Sequence, residues 1–192
     1  MSLLSKLCKS KATGLDKISA KLLRECPDLI AASLTLIFNQ SLLTCIFPYD
    51  WKSARVTPLY KHSGKRNDPT NYRPILVIPV VAKVFERVVY DQVYHYLTEN
   101  RILSRYQSDF RSLHSTVTAL LEATDSWAMN IDRGLINAVV FLDLKKAFDT
   151  VNHNILLKKL QYYGIRGSCH EWFTSYLNSH TQTCQINCTV ST

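Results

Sequence analysis

The chain has 192 residues, enough for one domain of roughly 150 residues with part of another and too many for a peptide-sized scaffold. Hydrophobic residues make up 46% and charged residues 20%, with 5 Gly and 6 Pro, a composition that fits neither global disorder nor a low-complexity linker. The net charge is +8 and is concentrated in the middle third, where Lys52 to Arg111 carries 11 basic against 5 acidic residues, which favours a polyanion such as nucleic acid or a nucleotide phosphate, with a merely solvated basic face as the alternative.

Met1–Lys6 lacks the apolar core of a signal peptide, and no stretch reaches the ~18 apolar residues of a membrane span, so an intracellular, reducing setting with no membrane partner is expected. Cys8, Cys26, Cys45, Cys169, Cys184 and Cys188 show no two-residue gap of a zinc knuckle and are expected to be buried free thiols. Ala12–Ile18 reads as a turn. Ser19 is placed to cap a helix over Ala20–Glu25, which Pro27 interrupts. A second helix over Asp28–Leu43 sets Ile30, Leu34, Ile37 and Phe38 on one face. Ala54–Tyr60 and Tyr72–Ile78 are strand-like and flank the polar run Lys61–Thr70, giving two short strands joined by a basic tip.

Farther along, Lys83–Leu97 is amphipathic through Val84, Phe85, Val88 and Tyr96, and Ser115–Ile131 through Val117, Leu120, Leu121, Thr124 and Trp127; each is expected to bury one side. Gly134 ends the helical pattern. The nearly unbroken apolar run Ile136–Asp143 then predicts a buried central strand. His153–Tyr162 and Cys169–Leu177 read as helices separated by Gly164 and Gly167, and Gln182–Thr189 as a last strand. The pattern is α+β and helix-rich, without internal repeats.

Asp143 stands at the end of that apolar run, and an ionised acid there is costly to bury unless it binds a cation or accepts several hydrogen bonds. Two readings stay open: a strand-end cap, or a ligand for a hard cation such as Mg²⁺, which takes one or two carboxylates together with substrate phosphates. Asp149 is a second anchor or another cap.

Phe141–Asp149, extended by Thr150–His153, resembles the first catalytic-core motif of reverse transcriptases from non-long-terminal-repeat (LINE-like, jockey-type) retrotransposons. In the same order, Trp51–Lys61 with Asn71–Ile75 is similar to the fingers hairpin of that family, and Lys83–Arg87 to its next helix. Tyr106, Gln107, Phe110 and Arg111 are similar to its template-proximal segment, and Ala12–Ile18 to an upstream motif. The resemblance implies a right-hand polymerase fold, with fingers and N-terminal helices over 1–134 and the beginning of the palm over 135–192. It implies an RNA-directed DNA polymerase acting on an RNA template, a DNA primer and deoxynucleoside triphosphates. By the same resemblance, the Asp143 carboxylate and the Leu144 carbonyl hold Mg²⁺, and Arg73 contacts the nucleotide triphosphate. Phe148 is then the steric gate against a ribose 2′-hydroxyl, with plain core packing as the alternative, and Gln107 and Arg111 face the template, unless Arg111 instead pairs with a neighbouring acid. Lys61, Lys65 and Arg66 at the hairpin tip either attract phosphates or form a solvated turn. A planar, permanently charged guanidinium suits the Arg73 role because it can hold two phosphate oxygens at once.

Two departures stand out. Asp109 replaces a small glycine usual between Gln107 and Phe110 and adds a negative charge where template would pass. The family's Gly-Pro-Gln-Gly type loop and paired aspartates have no counterpart up to Thr192, so the 192-residue chain alone is expected to be inactive. Two alternatives are a nucleic-acid-binding remnant without turnover, and a phosphohydrolase using Asp143 as nucleophile. The latter is weakened by Lys145, which stands where a second acid or Thr is usual.

Overall fold

The computed structural model describes residues 2–144, 147–186 and 189–190. Helix and sheet are mixed, and the chain divides into two compact units, residues 1–93 with 153–192, and residues 94–152, the second inserted into the sequence of the first.

In the first unit, α1 (Ser2–Ser5) precedes α2 (Ala20–Glu25), and the Ser19 hydroxyl accepts from the Leu22 N–H, as its position before the helix requires. Pro27 ends α2 and starts α3 (Pro27–Thr44), because its fixed φ and missing N–H suit a first turn. Leu34 and Phe38 are buried on α3 and Ile30 partly so, whereas Ile37 of the same predicted face is exposed. Strands β1 (Ser53–Tyr60) and β2 (Tyr72–Val77) form the expected antiparallel hairpin, with Pro58 opposite Pro74. Two facing prolines are tolerated because β2 is an edge, and because the parallel pairing of β1 with β3 (Thr181–Ile186) ends at Val56. The sheet order is β2-β1-β3-β4, with β4 at Thr189–Val190. The last predicted strand is therefore two, and Asn187 and Cys188 between them lie outside the described residues.

Helix α4 (Val80–Glu99) supplies Val80, Val81, Ala82, Val84 and Phe85 to the core. Phe85 is stacked on Phe38 with centroids 4.4 Å apart, and its neighbours include Phe47, Trp51 and Trp172. Trp172 comes from α7 (Gly167–Leu177), which follows α6 (His153–Tyr162). The late helix α7 is tied to early residues by polar contacts as well. Trp172 Nε1 donates to Ser41 Oγ at 3.0 Å, the Phe47 N–H to Ser175 Oγ at 3.0 Å, and the buried Lys52 ammonium to the Ser175 carbonyl at 2.6 Å. Burial lowers the Lys52 pKa.

The turn at 12–18 docks on this core through Gly14. A Cβ there would stand 2.7 Å from both Cα and N of Pro79, and Arg55 Nη2 donates to the neighbouring Thr13 carbonyl at 3.1 Å. Gly14→Ala is expected to destabilise the fold by about 1–3 kcal/mol, since backbone cannot yield as a side-chain tip does. Chemical denaturation checks this, and an unchanged midpoint would mean the turn is free to move.

In the second unit, α5 (Thr116–Asp132) begins with a reciprocal capping box between Ser115 and Thr118 and ends at Gly134, whose φ of +72° permits the closing turn. The Gly134 N–H bonds the Ile131 carbonyl, and the Leu135 N–H bonds that of Asn130. Three expectations are corrected. No residue of α5 is buried, and Val117, Leu120 and Leu121 are exposed. Ile136–Asp143 is not a strand, and Ile136, Val140, Phe141 and Leu142 are exposed. A strand needs a ladder partner for its N–H and C=O groups, and none among the described residues pairs with it. None of the described cysteines is buried; Cys8 and Cys169 are exposed, and Cys26, Cys45 and Cys184 are half-buried.

Candidate functional site

The hairpin tip is ordered by its own polar and aromatic groups. Tyr60 packs on Tyr72 and donates to the Gly64 carbonyl at 2.6 Å, Tyr72 donates to the Arg66 carbonyl at 2.7 Å, and the Arg66 guanidinium lies over the Tyr60 ring. Asp68 accepts from both the N–H and hydroxyl of Thr70, which holds its carboxyl below the usual range. Gly64 is required here: its φ is +79°, and a Cβ would meet the Asn71 side chain at 2.4 Å. The Lys61 ammonium donates to the Thr70 carbonyl at 2.8 Å, so it braces the loop while remaining exposed. Lys65 is exposed, and its carbonyl accepts from Asn71 Nδ2. Arg73 stands on β2 opposite Leu59 and is exposed, and among the described residues no hydrogen bond or ion pair engages its guanidinium. That leaves the fork for an anion.

In the second unit, Gln107 and Arg111 are brought together. Arg111 Nη1 donates to the Ser104 carbonyl at 2.9 Å and to the Gln107 carbonyl at 3.4 Å, so carbonyls rather than a neighbouring acid hold it. Gln107 Nε2 donates to the Asp109 carbonyl at 3.3 Å. The Phe110 ring meets Phe148 edge-on, with centroids 6.1 Å apart, which joins the template-proximal segment to the candidate steric gate. Both rings are otherwise largely exposed. Asp143 and Leu144 are exposed, and among the described residues nothing hydrogen-bonds the Asp143 carboxylate. Upstream of Asp143, Asn137 is anchored to α5: its Oδ1 accepts from Asn130 Nδ2 at 2.7 Å and its Nδ2 donates to the Trp127 carbonyl at 3.0 Å. Lys145 and Lys146 lie outside the described residues. No group of three His, Cys, Asp or Glu side chains converges among the described residues.

Sequence reasoning missed a half-buried pair between α4 and α7. Tyr176 donates to Glu86 Oε1 at 2.9 Å; burial raises the Glu86 carboxyl, partly offset by that hydrogen bond and by His180 and Lys83, and burial likewise raises Tyr176. Glu86 sits in the noticed Lys83–Arg87 stretch, but its partner is 90 positions away, so no local signal marked it. Because the folded pKa lies above the ordinary 4.5, the favourable contribution is fully present below that value and is lost as pH rises through the folded pKa. Glu86→Gln keeps an acceptor for Tyr176 and is expected to raise the melting temperature at neutral pH, with the gain vanishing in acid. Melting curves across pH decide; a lower neutral melting temperature would show that Lys83 and His180 outweigh burial.

Residues 61–191 match the family described as reverse transcriptase (RNA-dependent DNA polymerase). The chain is 32% identical over 161 residues to a probable RNA-directed DNA polymerase from transposon BS, and 30% over 162 residues to one from transposon X-element, both of Drosophila melanogaster; each alignment covers 81% of this chain and 18% of the relative. The RNA-directed DNA polymerase from mobile element jockey of the same organism is 30% identical over 158 residues, covering 82% of this chain and 17% of the relative. The chain thus spans about a fifth of the length of these relatives. With the matched region containing the hairpin tip, the Gln107–Arg111 loop and Asp143, the chain belongs to the reverse transcriptase (RNA-dependent DNA polymerase) family, in the group carried by non-long-terminal-repeat retrotransposons.

Proposed function

We propose that this chain forms the fingers (1–134) and the beginning of the palm (135–192) of a right-hand polymerase that copies RNA into DNA inside the cell. The observation that carries the reading is the family match over 61–191, which holds the ordered motifs from Lys61 to Asp149 in one stretch. In this reading Arg73 binds the triphosphate of the incoming nucleotide, Lys61 and Lys65 add positive potential at the tip, and Gln107 and Arg111 position the template. Phe148 closes the sugar pocket against a 2′-hydroxyl. The Asp143 carboxylate and Leu144 carbonyl are hard oxygen donors of the kind Mg²⁺ takes, and a cation that keeps several waters and binds substrate phosphates can use as few as these two from this segment. Bound there, Mg²⁺ would neutralise charge on the transferred phosphoryl group.

The test uses a polypeptide continued through the later palm motifs of the family, with an RNA template, a DNA primer and deoxynucleoside triphosphates. Primer extension is expected from it and not from the 192-residue chain. Arg73→Ala is expected to weaken nucleotide binding by about tenfold or more, and Lys65→Ala by much less, because losing a bidentate charged contact exceeds losing an exposed point charge. Equal losses would remove the assigned roles. Salt-sensitive RNA binding without extension by the longer polypeptide would favour a binding remnant, a reading that draws on the basic Lys52–Arg111 stretch.

A further inference from the structure

We propose that the C-terminal end of α6 carries a second contact for single-stranded nucleic acid, in which cationic side chains take backbone phosphates and Tyr162 stacks on a base. Lys158, Gln161, Tyr162 and Arg166 line an open groove of about 640 Å³. Between Asp149 and Glu171 the sequence has no acidic residue, while Lys158, Lys159 and Arg166 are all cationic. This local excess is hidden in the charge of the whole C-terminal segment, where acids elsewhere cancel it.

The backbone builds the groove. Gly164, with φ +92°, lets the chain reverse at the end of α6; its N–H bonds the Gln161 carbonyl at 3.1 Å and the Ile165 N–H bonds that of Leu160 at 2.9 Å. Ile165 is buried and anchors the reversal. Arg166 is thereby returned to the helix end, where its Nε donates to the Gln161 carbonyl at 3.2 Å. One donor thus orients the guanidinium, and among the described residues no hydrogen bond engages its Nη groups. A pre-oriented fork loses little freedom on meeting a phosphate. Tyr162 is 86% exposed, an unusual placement for a ring with no apolar cover. Cations that track a backbone, with an aromatic face for a base, are the pairing that binds single strands without sequence preference.

The groove rests on the nucleic-acid partner of the proposed function but on none of the residues assigned there. The test titrates the 192-residue chain with a fluorescent oligouridylate over a series of salt concentrations. The K158A/R166A variant is expected to lower the slope of log K against log salt by about 1.4, the share of two phosphates on a single strand. Tyr162→Ala is expected to weaken binding by about tenfold at fixed salt, and Tyr162→Phe to restore it. All three side chains are exposed, and circular dichroism of each variant checks its fold. Wild-type slope in K158A/R166A, or wild-type affinity in Tyr162→Ala, overturns the groove while leaving RNA binding by the chain intact. Absence of binding by the wild-type chain overturns the groove, the proposed function being decided separately by extension with the longer polypeptide, and equally strong competition by a free mononucleotide overturns the assignment to a strand.

Discussion

Phe85→Ala is expected to lower the unfolding free energy by about 3–5 kcal/mol, a large fraction of the roughly 5–15 kcal/mol that holds a domain together. Phe85 is fully buried, and it is the ring on which the aromatic cluster is assembled: stacked on Phe38 and Phe47, edge-on to Trp51 and Trp172. These neighbours come from α3, the segment before β1, and α7, so the cavity left by truncation is lined by elements that cannot all close on it. Packing is lost on each side, beyond the transfer of the ring itself. Leu36→Ala on the exposed face of α3 is the control, with an expected change within about 0.5 kcal/mol. Denaturant titration compares them. Equal effects would mean that the cluster is not the centre of stability.

Asp143→Asn has its largest expected effect on function. In the polypeptide continued through the later palm motifs, Mg²⁺-dependent incorporation is expected to fall by more than about 100-fold, since disturbing even the outer partners of a metal site costs 10–100-fold. The substitution keeps the size of the side chain and removes its charge. Because Asp143 is exposed and nothing among the described residues hydrogen-bonds its carboxylate, the melting temperature is expected to stay unchanged. Activity and stability therefore separate: a metal ligand loses the first alone, whereas a structural cap loses both together. Retained incorporation with an intact fold would remove Asp143 from the catalytic role.

Features closed within a few residues were legible in the sequence. Ser19 caps α2, Pro27 divides α2 from α3, Gly134 and Gly164 end α5 and α6, and the basic run between Tyr60 and Tyr72 is a hairpin tip. Each rests on a local backbone requirement that particular residue types meet. The candidate site residues rest on motif order instead: Asp143, Phe148 and Arg73 are assigned by the resemblance, without any knowledge of packing. Where burial was inferred from periodicity, the inference failed at α5 and at Ile136–Asp143. An apolar stripe states what a partner would cover, and it does not supply the partner.

The sequence by itself determined the helices from α2 onward, the hairpin and the family, because capping groups, prolines, glycines and ordered motifs act over short stretches of chain. Only the tertiary structure decided that Trp172 meets Ser41, that Lys52 is buried against Ser175 and that Glu86 pairs with Tyr176. It also decided that Gly14 sits on Pro79 and that Arg166 turns back onto α6. All but the last of these contacts join residues far apart in the chain. Burying the polar groups among them costs free energy that only a partner brought in from a distant segment offsets, and no local pattern names that partner.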